Sequence, residues 1–453
     1  MLKKNQIVEG KITKLEEDLS GIMMVGKDKV FVRHVLLNEV VSVKIIKKIQ
    51  KGYVGELVAY KKPSKQRAKV SCGIYEKCGS CQLLHMTYEA QTSYKEQILS
   101  NLCKQHKSLQ LKSVGVLGMQ EPFHYRNKII IGFQKGKNCK IRAGFYEEFS
   151  HRIVPYQTCL LHPSVCDEIV QTIVRLMEKF KIEPYEEDYR RGLLRHVLLR
   201  YGEETKQIMV VFVLNQKVFP ARKQFVDALC KAHPEITTIV QNVNTRKTSV
   251  VLGDEERVLY GKGYIEDVLC GYRFRISSKS FYQINHTQTQ RLYQTAIDML
   301  ELTGKETLLD AYCGIGTIGM CASQHVKEVI GVEVNKQAIQ DAKQNAKLNH
   351  ISNIRFVCAD ASTWMRQMAK EGLKLDVVIM DPPRSGSDEH FIKSAVSMKP
   401  KKILYISCNP MTQMRDLDLF QRYGYQGNVV QGVDLFPHTF HVESVVLLTK
   451  VHK

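Results

Sequence analysis

The stretch Ser407-Cys408-Asn409-Pro410 follows the apolar run Lys402–Ile406. That pattern predicts a strand with a thiol at its carboxyl end and a proline barring further pairing. In open α/β sheets this edge is where ligands and reacting groups gather. A thiolate there is a nucleophile, whereas a thiol in apolar surroundings is only a small buried residue. Asp381-Pro382-Pro383-Arg384 ends another apolar run, Asp376–Met380, and two prolines after an acid fix the direction of the Asp381 carboxylate. Leu308–Thr317 reads as strand, glycine turn and helix, with Gly314 and Gly316 permitting close backbone approach to a ligand.

The neighbouring runs extend this pattern. Val329–Val334 carries Glu333, an acid placed to accept hydrogen bonds from a ribose diol, and Val357–Asp360 ends with Asp360, which could face an adenine edge. The third glycine of the dinucleotide fingerprint is missing, so nicotinamide chemistry fits poorly. S-adenosylmethionine fits better, because it has no phosphates for a helix N-terminus to hold. Upstream, Phe281 in Ser280–Asn285 could stack on a flat ligand, and Gln283 can both donate and accept hydrogen bonds.

Cys72, Cys78 and Cys81, spaced C-x5-C-G-x-C, bring three thiols into a short loop, a pattern that suits an iron–sulfur cluster or zinc. Cys159 is a candidate fourth ligand for a cluster, and His85 or Cys103 could complete a zinc site. In Tyr125-Arg126-Asn127-Lys128, basic residues beside a tyrosine could clamp a phosphate and stack a base. Arg190–Arg200 opens a second basic strand.

The elements that must position these residues fall into three stretches. Residues 1–62 contain five short β-rich runs separated by turns, which predicts a small OB-like barrel. Lys44, Lys47, Lys48, Lys51, Lys61, Lys62 and Lys65 would let it track phosphates. Lys61–Val70 reads as a linker. Residues 63–270 read as a central α+β domain, with a helix near 88–106 and the region around 90–120 able to pack with the domain that follows. From 271 to 453 strands and helices alternate, predicting a C-terminal α/β domain of class I, Rossmann-like type. Helices are expected at His286–Leu302 and Met411–Tyr423, and a closing hairpin at Val429–Leu435 and Val442–Lys450, whose connection carries His441 and Glu443. By itself Glu443 reads as a structural strand carboxylate.

Composition narrows the partners. The net charge is +20, and residues 1–70 hold 16 Lys/Arg against 7 Asp/Glu, so nucleic acid is the expected polyanion. The 13 cysteines, an odd number in a long chain without an export signal, argue against a disulfide framework. No apolar run is long enough to span a bilayer, so the expectation is a cytoplasmic protein with no membrane association. Nothing in the sequence calls for an obligate protein partner.

Taken together and in order, the cysteine loop with Cys159, Phe281-Tyr282-Gln283, Asp310–Gly316, Asp381–Arg384, Ser407–Pro410 and His441-Val442-Glu443 resemble the RNA uracil-5-methyltransferase family. The barrel-like opening resembles the TRAM domain, and with the cysteine loop it resembles the branch acting on 23S ribosomal RNA. Length and basic character are similar to Gram-positive enzymes of that branch, one of which modifies two uridines. The resemblance implies a 4Fe–4S cluster on Cys72, Cys78, Cys81 and Cys159, and S-adenosylmethionine contacts at Gln283, Tyr312, Glu333 and Asp381. It also implies Cys408 as nucleophile and Glu443 as base. Gly314, Gly316 and Asp360 would complete the cofactor site, and Phe281, Arg126, Lys128 and His441 would meet RNA. Two other functions compete: a cytosine-5 methyltransferase, which also uses a cysteine nucleophile, and a non-catalytic RNA-binding assembly module on the same fold.

Overall fold

The computed structural model describes every residue except 17, 18, 137, 139, 148, 149, 248, 249, 452 and 453. The chain divides into two compact units. The first comprises Met1–Tyr94 with Glu147 and Pro437–Phe440; the second holds the remainder.

The first unit is built on a closed five-stranded barrel of Ile7–Leu15, Gly21–Val25, Asp28–Val32, Val40–Ile49 and Gly52–Lys62. Alternation of apolar and polar residues turns Ile12, Met23, Val30, Val32, Val41, Val43, Ile45 and Tyr53 inward to fill it. The segment expected as a linker is part of this body. The last strand runs through Lys62, and Arg67 lays its guanidinium on the Glu39 carboxylate with both contacts at 2.6 Å. Glu39 also accepts the Leu36 and Ser64 amides at 2.8 and 2.9 Å, which satisfies a fully buried carboxylate.

The second unit contains two large sheets. The seven-stranded one runs Glu255–Tyr260, Ile236–Val243, Ile208–Leu214, Leu194–Tyr201, Lys128–Lys135, Ile141–Tyr146, Ile153–Pro155. Helices Ser164–Lys179 and Arg222–Ala232 pack on each other. The basic strand expected near 190–200 turns its charges inward. Buried Arg195 is spent on Glu187 and the Asn244 and Arg246 carbonyls, and buried Arg200 on the Ser278 and Ser280 carbonyls.

The nine-stranded sheet has the order Ile354–Cys358, Glu328–Glu333, Thr307–Asp310, Val377–Met380, Lys402–Ser407, Glu443–Lys450, Val429–Val433, Lys112–Leu117, with Tyr425–Gly427 also on Glu443–Lys450. The first five strands are parallel, and Glu443–Lys450 runs antiparallel to its neighbours. Strand order reverses between Thr307–Asp310 and Val377–Met380, the crevice where α/β sheets bind ligands. The expected hairpin forms, with Gln431 opposite Val445. Among the described residues, no helix is long and apolar enough to cross a membrane.

Candidate active site

The glycine turn is shaped by two left-handed residues. Gly314 has φ of +53°, and Gly316 has φ of +84° and caps the helix Thr317–Ser323. Asp310 ties strand to helix by accepting the Gly319 amide at 3.1 Å. Glu333 accepts the Gly314 amide at 3.3 Å and the Asn335 amide at 2.8 Å, so its carboxylate is anchored beside the turn at the second strand's end. A Cβ on Gly314 would meet nothing within 4 Å, so open space borders the turn. Tyr312 stacks on Phe391, with centroids 5.1 Å apart and 27° between planes. Asp360 caps the helix Ala361–Lys370, its Oδ1 accepting the Thr363 amide at 2.8 Å.

Across the switch point, burial pushes Asp381 up to about 7. Asp310 is also pushed up to about 7, by burial with the negative charges of Asp381 and Glu333 nearby. Three carboxyls near a glycine turn suit a cationic nucleoside better than a phosphate. The residues present therefore fit S-adenosylmethionine.

The thiol stands beside this acid. Ser407 opposes Ser444 across antiparallel strands, and Cys408 follows Ser407 just as Glu443 precedes Ser444, which brings the two to the same end of the strand pair. Burial raises the Cys408 thiol to about 11, with Glu443 and Asp381 adding to the rise and Arg384 opposing it. Glu443 is held well above the usual carboxylate range by burial and by Asp381, again with Arg384 opposing. Cys408, Glu443, Asp381 and Arg384 are thus one electrostatic cluster. Pro410 does more than end a strand: it opens the helix Pro410–Arg422, which begins one residue earlier than expected because proline suits the first helical turn. Asn409 caps that helix and donates to the Arg384 carbonyl at 3.0 Å, locking the Asp381–Arg384 loop against the thiol-bearing turn. The Arg384 guanidinium lies 3.3 Å from His441 Nδ1, and burial with cations nearby lowers His441 to about 4. Sequence reasoning does not single out Arg384, whose one signal is its position directly after Pro382 and Pro383.

The segment Ser280–Asn285 joins this site to the seven-stranded sheet. Asn127 donates its side chain to the Gln283 carbonyl and its amide to the Ile284 carbonyl, each at 2.9 Å, and Arg126 bridges Asn285. Phe281 is 68% exposed, an unusual state for a phenyl ring and one that leaves its face free to stack. Lys128 is half-buried beside Arg200, which together with burial lowers it to about 8. Arg126 has a buried Nε without an acceptor among the described residues. Tyr125, expected as a base-stacking partner, is buried and does not present its ring.

The cysteine loop is a series of turns, with the Tyr75 amide on the Cys72 carbonyl at 3.3 Å and the Cys78 amide on the Ile74 carbonyl at 2.9 Å. Cys72, Cys78 and Cys81 belong to the first unit and Cys159 to the second. No described cysteine is in a disulfide, and no three His, Cys, Asp or Glu side chains among the described residues are grouped to hold a metal ion. The zinc alternatives have other partners: His85 Nδ1 meets the Tyr75 hydroxyl at 2.6 Å, and Cys103 packs in an apolar core with Leu99 and Leu102.

Similarity to known proteins agrees with this architecture. Residues 173–451 match the family model described as tRNA (Uracil-5-)-methyltransferase. An uncharacterized RNA methyltransferase of Listeria innocua is 41% identical over 99% of both chains. One from Halalkalibacterium halodurans is 40% identical over 98% of this chain and 97% of its own. Among solved structures, the Pyrococcus abyssi tRNA (uracil-54, C5)-methyltransferase in complex with S-adenosyl-L-homocysteine superposes with a TM-score of 0.78. It is 27% identical, with 97% of this chain and 99% of that one covered. The thiol, the acid cradle and these matches place the chain in the tRNA (uracil-5-)-methyltransferase family.

Proposed function

We propose that this protein methylates carbon five of uridine in RNA, with 23S ribosomal RNA as the substrate. The observation that carries the chemistry is the electrostatic proximity of Cys408, one residue past the Ser407–Ser444 pair, to Glu443 and Asp381. S-adenosylmethionine, when bound, supplies an electrophilic methyl group on a sulfonium cation; Glu333, Asp381, Gln283 and Tyr312 would hold it, with Gly314 and Gly316 lining the turn.

Carbon five of uracil is a weak nucleophile. Cys408 adds through sulfur to carbon six, and the electron pair of the 5,6 double bond passes into an enolate that makes carbon five nucleophilic. After methylation, Glu443 removes the carbon-five proton, the sulfur–carbon bond breaks, and Cys408 leaves as the ring regains its double bond. Burial disfavours both the Cys408 thiolate and the Glu443 carboxylate. Positive charge brought next to Asp381 lowers both pKa values, so the reactive ionisation state belongs to the loaded complex. Phe281 is placed to stack on the base, which must leave its own stack to reach Cys408. Arg126, Lys128 and His441 would meet the flanking RNA, and the basic barrel would track its backbone.

For the cluster, Cys72, Cys78, Cys81 and Cys159 are the residues we propose on spacing and family resemblance. No catalytic step passes through it, and its part would be to order RNA or the loop itself. A visible iron–sulfur absorption lost in Cys78→Ala tests it.

The function is tested with 5-fluorouridine in fragments of 23S ribosomal RNA and in transfer RNA. Fluorine cannot leave as a cation, so Cys408 should remain bonded to RNA on denaturing gels, and Cys408→Ala should show no adduct. Methylation of ordinary uridine without any such adduct would overturn the covalent mechanism. An adduct confined to transfer RNA would overturn the ribosomal substrate.

A further inference from the structure

Three consecutive carbonyls in the turn that follows strand Val429–Val433 are each held by a buried side-chain donor. Gln288 Nε2 donates to the Asp434 carbonyl at 3.1 Å, Asn285 Nδ2 to that of Leu435 at 3.1 Å, and Lys95 Nζ to that of Phe436 at 3.1 Å. Lys95 also pairs with the Asp434 carboxylate at 2.5 Å, and neither side chain has any exposed surface. This turn begins the connection that delivers His441 and Glu443.

Such a pair is a poor way to stabilise a fold. Desolvating two charges roughly cancels their attraction, and an apolar pair of similar volume is often as good or better. What it adds is direction: one ammonium fixes both a side chain and a backbone carbonyl. The other two donors sit on Asn285 and Gln288, immediately after Gln283, so cofactor-side and base-side segments share one set of anchors.

We infer that Lys95, paired with Asp434, is a positioning residue that sets the Glu443 carboxylate against carbon five of the bound uracil. It acts on proton removal and not on sulfur addition, since Cys408 follows a different strand, Lys402–Ser407, in a turn with its own anchor between Asn409 and the Arg384 carbonyl. Misplacing a catalytic group by about 1 Å costs on the order of a hundredfold.

This inference rests on the uracil-5 reading, and the experiment separates the two. The full-length protein is compared with Lys95→Met, which strands a buried carboxylate, and with the double variant Lys95→Met/Asp434→Leu, which keeps the core apolar. Each is given S-adenosylmethionine with ordinary uridine RNA and, separately, with 5-fluorouridine RNA. The expected result for the double variant is kcat reduced tenfold to a hundredfold, KM for S-adenosylmethionine within about twofold, and wild-type rates of 5-fluorouridine adduct formation. A covalent complex with ordinary uridine RNA should also accumulate on denaturing gels, because methylated intermediate waits for its proton to leave. Unchanged kcat in the double variant overturns the inference. So does a kcat loss matched by an equal loss in adduct formation. A wild-type protein that forms no adduct overturns the uracil-5 reading itself.

Discussion

The resting state of the nucleophile can be measured without any substrate. With the Cys408 thiol raised to about 11, only about one molecule in ten thousand carries the thiolate at pH 7. Peptide-resolved labelling by iodoacetamide should therefore rise steeply through pH 9 and 10 without levelling off. Glu443→Gln removes one of the charges that hold the thiol up. At about 5 Å, the Cβ spacing of opposite residues on antiparallel strands, and at an effective dielectric constant of about 20, two unit charges repel by about 3 kcal/mol. Solvent at the half-buried thiol and the opposing Arg384 cut this to an expected drop of about one pH unit in the midpoint. Because a less basic thiolate is also a weaker nucleophile, the labelling rate at pH 9 should rise only about threefold. Added S-adenosylmethionine, a cation beside Asp381, should lower the midpoint as well. A wild-type curve that levels off below pH 9, or a Glu443→Gln curve lying on top of it, would refute the reasoning.

Gly316→Ala forces a side chain onto φ of +84° and drives its Cβ to 2.8 Å from Met320 Cε and 2.9 Å from Phe356 Cζ. Thermal melts should show a loss of about 2 kcal/mol, and calorimetry a weaker cofactor affinity. In the first unit, Arg67 and the Leu36 and Ser64 amides hold Glu39 below the usual carboxylate range despite burial. A depressed folded-state value stabilises above the unfolded value near 4.5 and is lost as pH falls through the folded value. Urea titrations at pH 7 should find Glu39→Ala weakened by about 3 kcal/mol, with the gap to wild type closing in acid.

The barrel strands were legible because each alternates and ends in a turn, and the helices expected near 88–106, 286–302 and 411–423 form within two residues of those bounds. The Cys408 turn, the glycine turn and the Asp381 loop were legible because their chemistry is written in consecutive residues. What was not legible depends on partners far away. The strand Lys112–Leu117 has no alternation to betray it, and only its pairing with Val429–Val433 makes it one. Leu194–Tyr201 and Ile208–Leu214 are buried almost throughout, so their periodicity carries no face signal, and Arg195 and Arg200 read as surface charge until their acceptors are seen. Arg384 and Lys95 looked like ordinary cations for the same reason. Their importance lies in His441 and Asp434, which are near in space and distant in sequence.

The outer edge of the nine-stranded sheet, made long before its neighbour, also sets a timetable for the nascent chain. Lys112–Leu117 leaves the ribosome about 310 residues before Val429–Val433, and at roughly 5–20 residues per second it waits some 15–60 seconds for its neighbour. Until then its ladder groups need water or a chaperone. The reverse holds for a proteolytic fragment that begins after residue 270. Such a piece would keep every residue of the thiol and acid cluster, yet expose the outer edge of Val429–Val433 as a template for another chain. Self-association of that fragment, absent from the whole protein, would be the mark of an edge that only the distant upstream strand can close.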